Sequence, residues 1–326
     1  MRRLSRTAAF GLSILLTIGT LFASASRAQE YPAKPVQLIV AWPPGGISPT
    51  LATFVTEDAK KYFPKPVIVE YKPGAAGTIG AYFASKAAPD GYTILFARAS
   101  HMTSAPLVQK VDYMPLEDFE TIAQITSEPI GLAVKGDSPW KTLADLVNYA
   151  KKNPEVVTCG NPGTYSSHHL NAIRFEQAAG IKFTHVPFKG GGEQMASLAG
   201  GHIACAIRAP GEGEPLVDYG KVRILTVFDT ARYRFYPNTP TSKEEGYPFE
   251  AGSWTGLMAP KGTPKPILKI WEELARKITH DASFLAKTDK MKISIVFNTG
   301  EDFRKVFQHD FEEYKQIVKK LGLKPM

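Results

Sequence analysis

Leu38-Ile-Val-Ala-Trp-Pro-Pro-Gly-Gly-Ile-Ser-Pro-Thr50 decides how this chain is read. An apolar strand runs into a Pro-Pro-Gly-Gly turn and then into a helix, which brings free backbone N–H groups and a helix N-terminus to a place where they can meet an anion. Gly45 and Gly46 let a ligand approach the backbone, and the turn holds no acid and no nucleophile, so it points to binding. Ser48 is expected as N-cap and Pro49 as first helical residue, with Leu51, Ala52, Val55, Ala59 and Tyr62 forming an apolar face.

The same grammar recurs outward. A strand over 67–71 leads into Lys72-Pro-Gly-Ala-Ala-Gly-Thr-Ile-Gly80 and a helix over 78–87; a strand over 92–97 ends on Arg98-Ala-Ser-His101. Two short strands, 121–125 and 130–134, are read as a crossing into a second domain. There Thr142 and Asp145 cap a helix, a strand over 156–159 meets Gly160-Asn-Pro-Gly-Thr-Tyr-Ser-Ser167, and Gly180 stops the following helix. Strands over 183–186, 203–207 and 222–228 and a helix over 193–199 repeat the βαβ rhythm. A strand over 253–259 crosses back, a helix carries Ile267, Ile270, Trp271, Leu274 and Ile278, a strand runs over 293–297, and Thr299 with Asp302 caps a last helix stopped by Gly322.

Arg2, Arg3 and Arg6, an uncharged stretch over 7–26 and Ser26-Arg27-Ala28 read as a secretory signal peptide over 1–28, cleaved after Ala28. Its removal takes away four arginines and no acid, so the formal charge falls from +8 to +4. Lys60-Lys61 and Lys319-Lys320 are solvated helix faces, so no nucleic-acid partner is indicated. The remaining 298 of 326 residues exceed one comfortable core. Cys159 and Cys205, both on expected strands, either pair or lie buried as two small apolar side chains.

Three strand-turn-helix junctions converging on one cleft would favour a carboxylate, each helix dipole contributing roughly 0.3–1 kcal/mol. Arg98 and Arg208, at strand ends in different halves, are placed to clamp opposite ends of a dicarboxylate, with Trp42 and Tyr165 as a flat wall. Enzyme signatures are poor. Ser166, Ser167, His168 and His169 lack a Gly-x-Ser-x-Gly elbow, and adjacent histidines on a helix point about 100° apart. No catalytic residue, metal ligand or cofactor is assigned. The alternative kept open is a secreted serine hydrolase using Ser166 or Ser167.

Tyr31-Pro-Ala-Lys-Pro35, Trp42-Pro-Pro-Gly-Gly46, Glu70 with Lys72-Pro-Gly-Ala-Ala-Gly-Thr-Ile-Gly80, Ala88-Pro-Asp-Gly-Tyr92, Leu116-Glu-Asp-Phe119, His185-Val-Pro-Phe-Lys-Gly190 and Ala259-Pro-Lys-Gly-Thr-Pro264 follow one another along the chain. In that order they resemble the periplasmic solute receptors of tripartite tricarboxylate transporters, the Bug-type proteins. The resemblance implies an α/β periplasmic-binding-protein fold, type II-like, with two doubly wound lobes joined by two hinge crossings: 29–125 plus 254–326, and 126–253. It also implies a monomeric periplasmic receptor that closes over a small carboxylate and delivers it to an integral membrane permease.

Ligand contacts of the family fall here on Pro44, Gly45, Gly46, Ile47 and Ser48; on Ala75, Ala76, Gly77 and Thr78; on Arg98, Ser100 and His101; and on Thr164, Tyr165, Ser166, Ser167 and His169. Pro49 and Ala204 stand where the family often has acids, and Arg98 where a small polar residue is usual. With Arg208 these departures imply a dianionic ligand, an aromatic dicarboxylate such as terephthalate ahead of a C4–C6 aliphatic one.

Overall fold

The computed structural model describes residues 31–323, so the expected signal peptide lies outside the described residues. The strands are β1 (Val36–Val40), β2 (Val67–Tyr71), β3 (Thr93–Arg98), β4 (Phe119–Lys135), β5 (Thr158–Asn161), β6 (Thr184–Pro187), β7 (Cys205–Arg208), β8 (Val222–Phe228), β9 (Gly252–Pro260) and β10 (Ile295–Thr299). The helices are α1 (Ile47–Ala59), α2 (Thr78–Ser85), α3 (Leu143–Lys152), α4 (Ser167–Ala179), α5 (Gly191–Gly200), α6 (Glu214–Asp218), α7 (Lys265–Thr279), α8 (Ala282–Lys290) and α9 (Gly300–Lys320).

Side-chain alternation on β1 builds two cores. Leu38 and Val40 pack on one face with Phe96, Leu257, Trp271 and Phe284; Ile39 packs on the other with Leu95, Met258, Trp254, Phe303 and Phe307. A separate cluster holds Leu132, Val134, Phe175, Phe183, Ile207 and Phe228. Each such side chain contributes roughly 1.5–3 kcal/mol by its burial.

The strand order is β2-β1-β3-β9-β4-β7-β5-β6, with β8 and β10 also paired to β4. β1 is parallel to β2 and β3, and β5 to β6 and β7, while β9 runs antiparallel to both β3 and β4. The two short strands expected over 121–134 are one strand of 17 residues. Thr126-Ser-Glu-Pro129 has the composition of a turn, yet Thr126 through Pro129 lie opposite Thr255 through Gly252. Partners from distant sequence override the local polar signal. The first part of β4 pairs with β9 and β10, and the last part with β7 and β8.

The caps at Thr142–Asp145, Thr299–Asp302 and Gly180 are present. At α1 the expectation is corrected: Gly46 is the N-cap, and Ser48 lies inside the first turn, buried, with its hydroxyl turned inward. Helix α8, capped by Asp281, carries no strong periodicity and is not anticipated from sequence. Cys159 and Cys205 are register partners on β5 and β7, and both thiols are free and buried. No helix among the described residues is long and apolar enough to cross a membrane.

Candidate functional site

The carboxyl ends of β1 and β3 and the turns after β5 and β7 meet around a cavity of about 40 Å3. Trp42, Pro43, Gly46, Ile47, Ser48 and Pro49 come from the first turn, Arg98 and Ser100 from the end of β3. The other half supplies Pro162, His168, Gly190, Gly191, Arg208 and Glu212. Strand ends in an open parallel arrangement collect ligands because helix N-termini point there.

The donors facing this space are only partly used. Trp42 Nε1, Ser48 Oγ and Arg98 Nη1 are buried and have no hydrogen-bond partner. Arg208 Nη1 donates to Gln194 Oε1 at 2.7 Å, and Gly191 makes room for the guanidinium: a Cβ there would stand 2.2 Å from Nη1.

The two arginines do not stand at opposite ends of a space. Both converge on Glu212, whose Oε2 lies 2.5 Å from Arg208 Nη2 and whose Oε1 lies 3.6 Å from Arg98 Nη2. Burial works to raise the Glu212 pKa, but the guanidiniums of Arg208 and Arg98 overcome it and hold the carboxyl below its usual range. Burial pushes Glu128, whose strongest electrostatic neighbour is Arg98, up to about 7. Burial also pushes the imidazoles of His101 and His168 down to about 3, so both are neutral.

Other sequence-expected residues shape the cleft without lining the cavity. Pro44 and Gly45 are exposed on the turn. Ala75, Ala76 and Gly77 form a tight turn of positive φ before Thr78, and a Cβ on Gly163 would come within 3.5 Å of Ala76 Cα, so these turns meet across the cleft. His101 packs its ring on Gly77 and accepts from the Arg98 backbone N–H at 3.0 Å through Nε2, which fixes the end of β3. The Thr164 carbonyl accepts from Gln109, the Tyr165 N–H donates to His169 Nδ1 at 2.8 Å, and Ser166 Oγ caps α4. The Tyr165 ring packs toward Val108 and Leu170, so Trp42 is the aromatic wall without it.

Ser167 Oγ lies 2.9 Å from Ser100 Oγ and 3.4 Å from His168 Nδ1, and His168 Nε2 lies 3.7 Å from Glu212. The chain Ser167–His168–Glu212 has the order of a triad, but its serine is fully buried and its imidazole is far too acidic to act as a base at neutral pH. Sequence reasoning did not place Pro43, Pro49, Pro162, His168, Gly190, Gly191 and Glu212 at the site, nor single out Glu128 and Gly192. The glycine run Lys189-Gly-Gly-Gly192 lacks the Gly-Lys-Ser/Thr ending of a P-loop; it lets the second half approach the first, since a Cβ on Gly192 would stand 2.3 Å from the Gly45 carbonyl oxygen.

The family model for the tripartite tricarboxylate transporter family receptor, TctC, matches residues 51–323. A protein of Cupriavidus necator described as the UPF0065 protein in the gbd 5' region is 31% identical over 317 residues, covering 97% of this chain and 94% of that protein. Among solved structures, R. palustris Rpa4515 with adipate superposes with a TM-score of 0.87 at 25% identity, covering 91% of this chain and all of that one. The periplasmic binding protein BugD gives 0.84 at 28%, covering 91% and 100%. MatC of Rhodopseudomonas palustris with bound malate gives 0.84 at 25%, covering 88% and 100%. The fold is that of the two-lobed periplasmic binding proteins.

Proposed function

Because the chain belongs to the tripartite tricarboxylate transporter receptor family, a family of substrate-binding receptors rather than enzymes, we propose that its cleft captures a small dicarboxylate and hands it to the membrane permease of such a system. In this reading residues 1–28 direct export to the periplasm and are removed. Lobes 29–125 plus 254–326 and 126–253 close on the ligand about β4 and β9, and the receptor works as a monomer.

The observation that carries the proposal is the set of buried donors without an acceptor, Trp42 Nε1, Ser48 Oγ and Arg98 Nη1, around one cavity. A buried unsatisfied donor costs about 1–3 kcal/mol, which an acceptor-rich ligand removes. Carboxylate oxygens match these donors. Ser100, Arg208 and the backbone at Gly46 and Ile47 complete the contacts, while the turns at Ala75–Gly77 and Thr164–Tyr165 and the ring of His169 shape the seam.

A C4–C6 aliphatic dicarboxylate stands ahead of an aromatic one, reversing the order that sequence suggested. The cavity is small, about 40 Å3, and the flat wall has lost Tyr165. A flexible chain enters with less widening than terephthalate, and the adipate- and malate-bound relatives support the same choice.

Melting the purified protein with succinate, malate, adipate, terephthalate and benzoate tests this. An aliphatic dicarboxylate at about 100 times its Kd adds about 2.7 kcal/mol. A rise with benzoate alone, or with none of the five, sinks the reading.

A further inference from the structure

Glu128 lies on β4 opposite Ser253 of β9, where β4 passes from one half to the other. It is 2% exposed, and neither carboxylate oxygen has a hydrogen-bond partner. A buried carboxylate without donors is costly as an anion, so something near it must favour or relieve the charge. Arg98 of β3 reaches this place: its Nη2 lies 3.5 Å from the hydroxyl of Ser253, the register partner of Glu128. Arg98, Arg208 from β7, Glu212 from the turn after β7 and Tyr233 from the segment after β8 are the charged and titratable groups that act on its carboxyl electrostatically. It also lines a groove of about 550 Å3 with Arg174, Asp229, Glu250, His309, Asp310 and Glu313.

The charges of this buried set nearly balance. Arg98 and Arg208 are positive, Glu212 is negative, and His101 and His168 are neutral. One positive charge therefore remains before Glu128 is counted. With Glu128 ionised the set is neutral, and an arriving carboxylate leaves an uncompensated negative charge in a closed space. With Glu128 protonated, the first carboxylate of the ligand neutralises the set, and a second leaves one negative charge where an ionised Glu128 would leave two.

Resting on the reading of this cleft as the carboxylate site, we infer that ligand capture is coupled to uptake of one proton by Glu128. The exchange is balanced: the ligand carboxylate enters, a proton from solvent moves to a Glu128 carboxylate oxygen, and no other bond changes. Burial already holds this carboxyl at about 7, so the proton exchanges near neutral pH. An anion added beside it raises the value further. A second ligand carboxylate strengthens the coupling.

The experiment is calorimetric titration of the purified receptor with adipate at pH 8, in two buffers of different ionisation enthalpy. The expected result is uptake of about 0.5–1 proton per adipate at pH 8, and a Kd that rises with pH above about 7, by about three- to tenfold per unit near pH 8. In Glu128→Gln the proton number falls to near zero and the pH profile flattens. Uptake near zero in the unaltered receptor, or undiminished in Glu128→Gln, overturns the inference. The unaltered receptor alone decides the first point if the variant does not fold. Binding heat equal in both buffers sinks the coupling and leaves the receptor reading intact, whereas no heat or melting shift with any carboxylate sinks both.

Discussion

Glu212 holds Arg208 at 2.5 Å and Arg98 at 3.6 Å, so a single carboxylate joins guanidiniums carried by the two halves of the molecule. All three side chains are nearly inaccessible to water.

Removing that carboxylate leaves two buried cations uncompensated. Glu212→Ala is expected to lower stability by about 3–5 kcal/mol, the usual effect of breaking a buried pair from one side. It is also expected to tighten adipate, because the added anion then replaces Glu212. Chemical denaturation with and without adipate reads both effects. A variant that is less stable and also binds more weakly counts against the idea that Glu212 and the ligand share the arginines.

Arg98 offers the ligand an Nη1 that no other group uses. Arg98→Ala removes a charged hydrogen bond of about 1.5–3 kcal/mol, so the Kd for a dicarboxylate rises about 10- to 100-fold. Arg98→Lys recovers only part of this, since a point charge cannot reach both Glu212 and the ligand. Affinity unchanged in Arg98→Ala excludes this residue from the contacts.

Gly192 separates folding from closure. Its missing side chain leaves room for the Gly45 carbonyl across the seam, where a Cβ would come within 2.3 Å. Gly192→Ala sits in the first turn of α5, where alanine favours the helix by up to about 1 kcal/mol. The expected outcome is an unchanged or higher melting temperature, with adipate binding weakened at least about tenfold and a larger radius in small-angle scattering with ligand. Equal affinity would mean the two turns need not meet.

Acid sensitivity follows from the buried histidines. His101 and His168 are held at about 3 and His169 at about 4, all mainly by burial, against the usual 6.5 of a free imidazole. Below 6.5 the unfolded chain takes up protons that the folded chain refuses, so this stability is present above 6.5 and is lost as pH falls. Each histidine contributes about 1.4 kcal/mol per pH unit in that window. Glu128 acts with the opposite sign: its value, raised to about 7, favours the folded state at lower pH, and that contribution is lost as pH rises through 7. Urea midpoints at pH 7 and pH 5 should therefore fall less for His168→Gln than for the unaltered protein, and more for Glu128→Gln.

The local chemistry of the chain was readable residue by residue. The capping pairs Thr142–Asp145 and Thr299–Asp302, the stop at Gly180 and the turn after Trp42 appear where their side chains and glycines require them. Ser48 was misplaced by two positions because the extended Gly46 competes for the cap without needing a side chain. The hinge was half seen: Thr126-Ser-Glu-Pro129 carries turn residues, and only its pairing with β9 makes it strand.

Propensity, capping and backbone freedom act within a few residues, so the alternating elements, the anion-seeking turns and the positions of Arg98 and Arg208 at strand ends follow from local residues alone. What those arginines face is set by contacts between distant segments. Glu212 and Glu128 reach them through strand order and burial, and a carboxylate's charge and partners depend on the solvent it has lost and the guanidiniums beside it, neither of which is written in the residues next to it.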